Sequence, residues 1–297
     1  MSVVPTIDVS LVRRLVAEQF PQWSQFDVRP VDSDGWDNRS FRLGDELSVR
    51  LPSAAAYAPQ VVKETQWLPV LSNALSLPIP EVVGVGAPGA GYPFPWTIRQ
   101  WIGGTPLTDA PRLDRVTVAV DLAGFLRELH GVEHPGPGPG PHSAGRGAPL
   151  QQWDDQVKYA VSALSDRIDV EGALRLWEDA LDTRVASQRA VWFHGDVAPG
   201  NLLAEDGRLS AVIDFGLAGV GGPSCDLAIA WTWFARDERE VFRIALDADD
   251  ATWLRGKGWA LWKALISLDH PRYADESEHA LHALGVAQRH ASERNTK

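Results

Sequence analysis

Residues 190–216 contain the pattern that most limits how this chain can fold. Two apolar stretches, at 202–203 and 211–213, flank the turn sequence Glu-Asp-Gly at 205–207. Apolar strands on either side of an Asp-Gly turn predict a β-hairpin. Another apolar run, at 190–193, precedes the hairpin and predicts a short strand that leads into a polar loop. The segment therefore predicts a small β unit with a polar loop at its open end.

Three polar residues lie around that open end. Asp196 lies in the loop before the hairpin, Asn201 precedes the first strand, and Asp214 directly follows the second strand. The hairpin brings Asn201 and Asp214 together, and magnesium accepts one or two such protein oxygens beside phosphate oxygens and water. Asp196 is then placed to accept the proton of a substrate hydroxyl that attacks a γ-phosphoryl group. This spacing indicates phosphoryl transfer.

The composition excludes several other classes of protein. Acidic residues outnumber basic ones by 39 to 28, so the net charge is −11 and a basic face for nucleic acid is not expected. The single cysteine, Cys225, excludes an intrachain disulfide and a cysteine-based zinc site. No apolar run approaches the roughly 18 residues of a membrane span, and the N-terminus lacks a secretion signal. We expect a soluble, cytoplasmic protein that binds neither nucleic acid nor membrane.

The remaining sequence is rich in strands before Gly103-Gly104 and rich in helices after it. Periodicity predicts helices at 11–20, 61–75, 113–130, 152–165 and 170–181, and strands at 47–51, 81–85 and 97–102. Pro69 is expected to interrupt or restart the second of these helices. Proline and glycine alternate at 135–141, and turn residues continue to 149, which predicts a long surface loop inserted in the second part.

Other nucleotide-binding and hydrolase motifs fail. Residues 84–89 fit G-x-G-x-x-G, but the prolines at 93 and 95 prevent the helix that must follow in a dinucleotide site. This segment predicts a turn between strands. Neither a G-x-x-x-x-G-K-[ST] loop nor a G-x-S-x-G elbow occurs in the sequence.

The combination H-G-D-x-x-x-x-N at 194–201 and D-F-G at 214–216 resembles the aminoglycoside phosphotransferase and small-molecule kinase family. The resemblance covers nearly the whole chain and implies an α+β, bilobal, protein-kinase-like fold. Its small N-lobe, with an antiparallel sheet, would span residues 1–103 and bind the nucleotide. Its larger, mainly helical C-lobe would span 104–297 and hold the catalytic loop, the magnesium site and the substrate pocket.

The resemblance also implies a role for each matched residue. Asp196 would be the catalytic base, and Asn201 and Asp214 would hold Mg2+. Arg50 would contact the phosphates of ATP or GTP and pair with Glu64 of the following helix; arginine stands here where protein kinases have lysine. The other matched positions are the phosphate-covering segment 35–38 with Asn38, nearby Ser40, and the hinge from Gln100 to Ile102, which would receive the purine.

Three further positions concern the support of the loop. His194 is expected to brace the loop through hydrogen bonds. Asp226 matches the aspartate that supports the catalytic loop, although Gly222 stands where many members have aspartate. Ala198 replaces a histidine of many members and lies at neither the base nor a magnesium position.

The acceptor is the least defined part of the prediction. An aminoglycoside is the leading candidate for the acceptor, because it offers hydroxyls and ammonium groups to an acidic protein. A macrolide, a sugar or an amino alcohol such as choline are alternatives, as is a nucleotide-binding pseudokinase without transfer. The acidic residues at 237–250 either form a solvated face or attract a polyamine, and one or two C-terminal tryptophans are expected at the pocket. The partner is thus a small-molecule hydroxyl acceptor, and the protein a monomer or homodimer.

Overall fold

A computed structural model describes residues 6–31, 37–183 and 190–288 of the chain. The first part contains a five-stranded antiparallel sheet in the order β1-β2-β3-β5-β4 and two helices. Its elements are α1 (Val9–Gln19), β1 (Val28–Pro30), β2 (Asn38–Leu43), β3 (Leu47–Pro52), α2 (Ala58–Ser72), β4 (Val82–Gly86) and β5 (Trp96–Gln100).

The second part is mainly helical and contains two small sheets, β10-β7 and β6-β8-β9. Its helices are α3 (Arg115–His130), α4 (Asp154–Ala163), α5 (Val170–Asp182), α6 (Ile229–Thr232), α7 (Arg236–Leu246), α8 (Asp250–Ser267) and α9 (Ala274–Leu284). Its strands are β6 (Thr105–Pro106), β7 (Val191–Phe193), β8 (Leu202–Glu205), β9 (Arg208–Val212) and β10 (Gly219–Gly221).

The buried apolar residues form two separate clusters that follow this division. One cluster lies between α1 and the five-stranded sheet and includes Leu15, Val49 and Trp96. The other cluster fills the helical part and also takes in Leu68 and Leu71 from α2. Helix α2 therefore belongs to the first part by sequence but is anchored in the second core. No helix in the described ranges is long and apolar enough to cross a membrane.

The predicted hairpin is confirmed. Strands β8 and β9 pair antiparallel, with Leu202 opposite Val212. Asp206 and Gly207 both have positive φ values, 51° and 81°, as a two-residue type I′ turn requires. At the open end, the backbone N–H of Ile213 donates to the carbonyl of Asn201 at 2.9 Å, which fixes the start of one strand against the end of the other.

The expected break at Pro69 is wrong, because α2 runs through it without interruption. Pro69 lies in the last turn, so only a short piece of helix follows it. The Nδ2 of Asn73 donates to the Pro69 carbonyl at 2.8 Å and caps that end. A proline near a helix end disturbs few of the helix hydrogen bonds.

The Pro-Gly segment at 135–149 is a mostly exposed or half-buried loop, as predicted, and it also packs onto the sheet β10-β7. The backbone N–H groups of Val220 and Gly222 donate to the carbonyls of Pro137 and Gly147, each at 2.8 Å. A Cβ on Gly147 would lie 2.1 Å from the ring of Phe193, so only glycine allows this approach. The segment lies against the second part, directly beside strand β7, which leads into residues 194–201.

Candidate active site

The loop that carries Asp196 is fixed through its own backbone amides. The fully buried carboxylate of Asp226 accepts hydrogen bonds from the N–H of His194 at 2.9 Å and of Gly195 at 2.7 Å. Gly195 has φ +85°, and a Cβ there would lie 2.8 Å from the carbonyl oxygen of Leu217. Glycine is therefore required by both conformation and space. The support expected of Asp226 is present despite Gly222.

His194 braces the loop from inside the protein. Its Nδ1 accepts the N–H of Asp196 at 3.2 Å, so the network assigns the ring proton to Nε2, which lies 3.0 Å from the carbonyl of Ile213. The ring packs edge-on against Phe215, with centroids 4.6 Å apart. Both ring nitrogens are occupied and the residue is fully buried. These contacts agree with bracing and leave no nitrogen for proton transfer.

The side chains of Asp196 and Asn201 are joined by the same turn. The Nδ2 of Asn201 donates to the backbone carbonyl of Asp196 at 2.9 Å and to its Oδ2 at 3.0 Å. The Asn201 amide is thereby oriented with Nδ2 toward Asp196, which leaves its Oδ1 for another partner. The Asp196 carboxylate is half-buried and keeps Oδ1 outside these bonds.

Asp214 meets an arginine from the five-stranded sheet. It has a left-handed backbone, with φ 65°, and lies two residues after the end of β9. Its Oδ1 accepts a hydrogen bond from Nη2 of Arg50 on β3 at 2.6 Å. Burial would raise the pKa of Asp214, but the adjacent Arg50 outweighs burial and lowers it. The pair spans the space between the sheet and the helical part.

Arg50 is held in place by the neighbouring strand β2. In the amide orientation that satisfies both groups, the oxygen of buried Asn38 accepts from Nε of Arg50 at 3.1 Å and from Nη2 at 2.9 Å. Ser40 lies directly opposite Arg50 in the pairing of β2 with β3. Asn38, Ser40 and Arg50 therefore form one group, as predicted. Gly35 and Trp36 of the predicted phosphate-covering segment lie outside the described residues.

The predicted pair between Arg50 and Glu64 is wrong. Glu64 on α2 instead binds Arg99 on β5, with 2.7 Å between Nη2 and Oε2 and 3.3 Å between Nη1 and Oε1. Both side chains are almost fully buried. Arg50 still acts on Glu64 electrostatically: burial raises the Glu64 pKa, but Arg99 and then Arg50 outweigh burial and lower it. Because Arg50 is directed toward Asp214, Glu64 pairs instead with Arg99 on the neighbouring strand β5.

Lys63, one residue before Glu64, connects α2 to the segment after Asp214. Its buried ammonium donates to the carbonyls of Gly216 at 2.6 Å, Ala218 at 3.0 Å and His142 at 3.3 Å. Burial lowers the pKa of Lys63 to about 8. One side chain thus ties α2 both to the D-F-G segment and to the Pro-Gly segment.

The hinge residues lie at the edge between the two parts. The N–H of Gln100 donates to the carbonyl of Glu81 at 2.9 Å, and the N–H of Trp101 donates to the carbonyl of Glu46 at 2.7 Å. These two amides are used within the sheet. Ile102 is half-buried and follows β5, an inner strand of the sheet, in irregular backbone, and its role in the hinge stays a prediction.

Comparison with known proteins decides the family. Residues 27–262 match the model of the phosphotransferase enzyme family. The chain belongs to this family. The predicted enzyme class, a phosphotransferase acting on a hydroxyl group, is confirmed by this membership. No curated protein matches the sequence.

Solved structures of other phosphotransferases share the fold. The GDP complex of aminoglycoside 2′-phosphotransferase-IIIa is 19% identical, with a TM-score of 0.67 and coverage of 94% of this chain and 98% of that one. The streptomycin–ATP–APH(2″)-IIa ternary complex is 18% identical, with a TM-score of 0.60 and coverage of 94% and 97%. Macrolide 2′-phosphotransferase type I is 18% identical, with a TM-score of 0.62 and coverage of 96% and 98%. The likeness confirms the bilobal, protein-kinase-like α+β fold.

Most C-terminal tryptophans of this phosphotransferase lie in the core. Trp231 and Trp253 are buried against each other with ring centroids 4.6 Å apart, and Trp233 lies under Arg115 at 3.9 Å. Trp259 and Trp262 are buried in the core as well, and both also face the guanidinium of Arg146 in the Pro-Gly segment.

The acidic residues at 237–250 are largely engaged in local structure. Glu238 pairs with Arg115 at 2.8 Å and Asp250 forms an ion pair with Arg243. Asp249 accepts the N–H of Thr252 at 2.7 Å and caps α8. This arrangement favours a structural role over attraction of a polyamine.

Four residues close to the phosphotransferase site had no place in the sequence prediction. Arg99 carried a weak signal, since it is a charged residue inside an otherwise apolar strand. Lys63 and Arg146 carried none, because their partners are backbone carbonyls distant in sequence. Gln60 donates to Oδ2 of Asp37 at 3.1 Å, beside Arg50 and Asp214, and burial raises the pKa of Asp37.

The lowered pKa values of Glu64 and Asp214 predict a loss of stability in acid. A carboxyl whose folded pKa is depressed contributes stability that is complete above its unfolded pKa, ordinarily 4.5 for Glu64 and 3.8 for Asp214. This contribution disappears as the pH falls through the folded pKa. We expect the free energy of unfolding, measured in urea, to decrease steadily below about pH 4.5. A free energy that stays level between pH 5 and pH 2.5 would contradict this.

Proposed function

We propose that the enzyme transfers the γ-phosphoryl group of ATP or GTP to a hydroxyl of a small molecule, with Asp196, Asn201 and Asp214 at the reacting centre. One observation carries the proposal. The hydrogen-bonded pair Asp196–Asn201 and the carboxylate of Asp214 meet at one end of the hairpin, and Arg50 faces them from the sheet. A base, two oxygen ligands and a phosphate-binding cation are the components that phosphoryl transfer needs.

Asp196 is the proposed base. The hydrogen bond from Asn201 to Oδ2 sets the orientation of the carboxylate, and the Asp226 contacts hold the backbone beneath it. A substrate hydroxyl next to Oδ1 would pass its proton to Asp196 as its oxygen attacks phosphorus. The protein contributes mainly by positioning, because the transferred group needs little covalent assistance.

Magnesium fits the residues that are present. The Asn201 amide directs Nδ2 to Asp196, so Oδ1 is its remaining ligand atom, and Asp214 offers carboxylate oxygens. Two hard oxygen donors suit Mg2+, which takes its other ligands from phosphate and water. The bound ion would neutralise negative charge on the phosphates. No group of three or more His, Cys, Asp or Glu side chains in the described residues offers a protein-only metal site.

The sheet supplies the proposed nucleotide contacts, within residues 1–103. Arg50, oriented by Asn38, would exchange its bond to Asp214 for bonds to the α- and β-phosphates, beside Ser40. The hinge from Gln100 to Ile102 would hold the purine, with Glu64 placed behind Arg50. Solved structures with a similar fold contain GDP in one case and ATP in another. This supports the binding of a nucleotide but does not decide between ATP and GTP. Residues 104–297 would carry the reacting centre and the acceptor pocket.

The test is coupled nucleotide turnover with ATP and with GTP, against a panel of aminoglycosides, macrolides, sugars and amino alcohols. Phosphate transfer to the acceptor is confirmed by mass spectrometry. Acceptor-dependent turnover supports the proposal and decides among these classes, of which the aminoglycoside remains the prediction from sequence. Tight nucleotide binding without transfer to any acceptor would favour a nucleotide-binding protein without catalysis.

A further inference from the structure

Arg146 lies on the helical side of the Asp196 loop. Its Nε donates to the carbonyl of Gly195 at 3.2 Å, one residue before the proposed base. Its guanidinium stacks over Trp262, 4.7 Å from the ring centroid, and over Trp259 at 5.6 Å. Asp214 and Arg50 lie on the sheet side of the same loop, so Arg146 occupies the side from which an acceptor would approach.

The guanidinium retains hydrogen-bonding capacity. Nη1 makes one long contact of 3.4 Å to the carbonyl of Ala144, and Nη2 has no hydrogen-bond partner among the described residues. Nη2 is not fully enclosed by the protein. Burial lowers the pKa of Arg146, and the carboxylate of Asp196 opposes this shift. Arg146 is therefore a fixed cation beside the proposed base, and its Nη2 group can still donate a hydrogen bond.

A fixed cation at this place decides which acceptor charges are tolerated. An ammonium group a few ångströms from the guanidinium is repelled, most strongly where water is excluded. An arginine fork instead matches the two oxygens of a carboxylate or the oxygens of a phosphate ester. Of the six acidic residues at 237–250, which a polycation would need, Glu238 and Asp250 form ion pairs and Asp249 caps a helix.

We propose that Arg146 is an acceptor-binding residue that selects a hydroxylated acceptor bearing an anionic oxygen group, a carboxylate or phosphate ester, over a polycation. This inference rests on the proposed function, because it places the acceptor next to Asp196. It differs from the aminoglycoside expected from net charge, because the local charge at the acceptor side is positive although the whole chain is negative.

The experiment uses probes that share a hydroxylated scaffold and differ in charge. Binding of D-glucuronate, D-glucosamine and kanamycin is measured by titration calorimetry on the full chain, with magnesium and a non-hydrolysable ATP analogue present. We expect D-glucuronate to bind the wild-type protein and the two amines to bind at least tenfold more weakly. Arg146→Gln should reduce the affinity for D-glucuronate at least tenfold and leave the affinity for the ATP analogue unchanged.

Two further variants separate selection from structural support. Arg146→Lys keeps the charge without the fork and should retain the preference for the anion with weaker binding. Arg243→Gln removes an arginine that lies over Trp253 at 5.4 Å, far along the sequence from the loop, and should change neither affinity. If Arg146→Gln does not fold, the weaker binding of D-glucuronate by Arg146→Lys decides, with its unchanged affinity for the ATP analogue as the control.

Several results would overturn the inference. They are equal or tighter binding of kanamycin or D-glucosamine, no binding of D-glucuronate, and a ratio of affinities that Arg146→Gln leaves unchanged. An equal loss for all probes would make Arg146 a positioning residue of the Gly195 carbonyl only. Failure of the proposed function is separate, since it shows as nucleotide turnover that no acceptor stimulates and that Asp196→Asn does not alter.

Discussion

Asp196→Asn should lower kcat by about a thousandfold while the protein stays folded, because an amide cannot accept the hydroxyl proton. The amide oxygen can still accept the hydrogen bond that Asn201 now donates to Oδ2, at 3.0 Å, so the loop should keep its shape. The measurement is acceptor-dependent nucleotide turnover under saturating substrates, with thermal unfolding as the check of folding. The nucleotide affinity should stay within a factor of about two, because the base lies outside the proposed phosphate contacts.

The matched control is Asp206→Asn at the turn of the same hairpin. Asp206 is exposed and has φ 51°, a conformation that asparagine accepts readily. This change removes the same charge from the same β unit but at the end remote from Asn201 and Asp214. Its turnover should equal that of the wild type. Full turnover in Asp196→Asn, with the control equally active, would rule out Asp196 as the base.

Arg99→Met should lower the free energy of unfolding by about 3–5 kcal/mol, because it leaves the carboxylate of Glu64 buried without its main partner. Glu64 is 3% exposed, and its carboxylate makes two hydrogen bonds to the Arg99 guanidinium. Methionine fills a similar volume, so the loss measures the unpaired charge more than a cavity. The measurement is urea unfolding at pH 7, with the slope of the transition compared between the two proteins.

The double variant Glu64→Leu/Arg99→Met tests the cause. It removes both charges and should recover most of the lost stability, since an apolar pair of similar size is often as stable as a buried ion pair. Turnover of the double variant should be lower than that of the wild type, because Glu64 also acts on Arg50 electrostatically. A double variant no more stable than Arg99→Met would show that the side-chain packing of Arg99 matters rather than its charge.

The grouping of Asp196, Asn201 and Asp214 could be predicted from the sequence because its geometry is local. A strand, a loop and a hairpin within 190–216 place Asp196, Asn201 and Asp214 together through short-range pairing. The Asp-Gly turn sets the pairing at the closed end of the hairpin, and an irregularity between Leu203 and Ala204 shifts the register along the strands. The bilobal architecture followed from the resemblance, and the fold comparisons confirmed it.

The ion pairs between elements could not be predicted in the same way. Arg50 and Arg99 lie on neighbouring strands and both approach Glu64 and Asp214, so the sequence allows more than one set of partners. The choice depends on side-chain directions across the cleft, which no local pattern encodes. The contacts of Lys63 could not be predicted either. Its partners are backbone carbonyls, which are present whatever residue types lie opposite the lysine.

The Pro-Gly segment is a surface loop, as its composition predicts, but composition records backbone preference and not contact. Proline and glycine exclude helix and sheet, and in most chains such a stretch lies on the surface. Here glycine serves a second purpose, since Gly147 allows the backbone to lie against Phe193. A segment with linker-like composition thus approaches strand β7 closely at Gly147.

That packing has a consequence for exchanging parts between phosphotransferases. The segment at 135–149 contacts helix α2 through His142 and Lys63, and the Asp196 loop through Arg146 and Gly195. A chimaera that imports this stretch from a relative would alter the nucleotide side and the acceptor side at once, even though every catalytic motif remained native. Exchanging a whole lobe at the hinge would also separate Lys63 from the backbone carbonyls that accept its hydrogen bonds. The boundary suitable for recombination is therefore set by these carbonyl contacts and not by the Gly103-Gly104 linker.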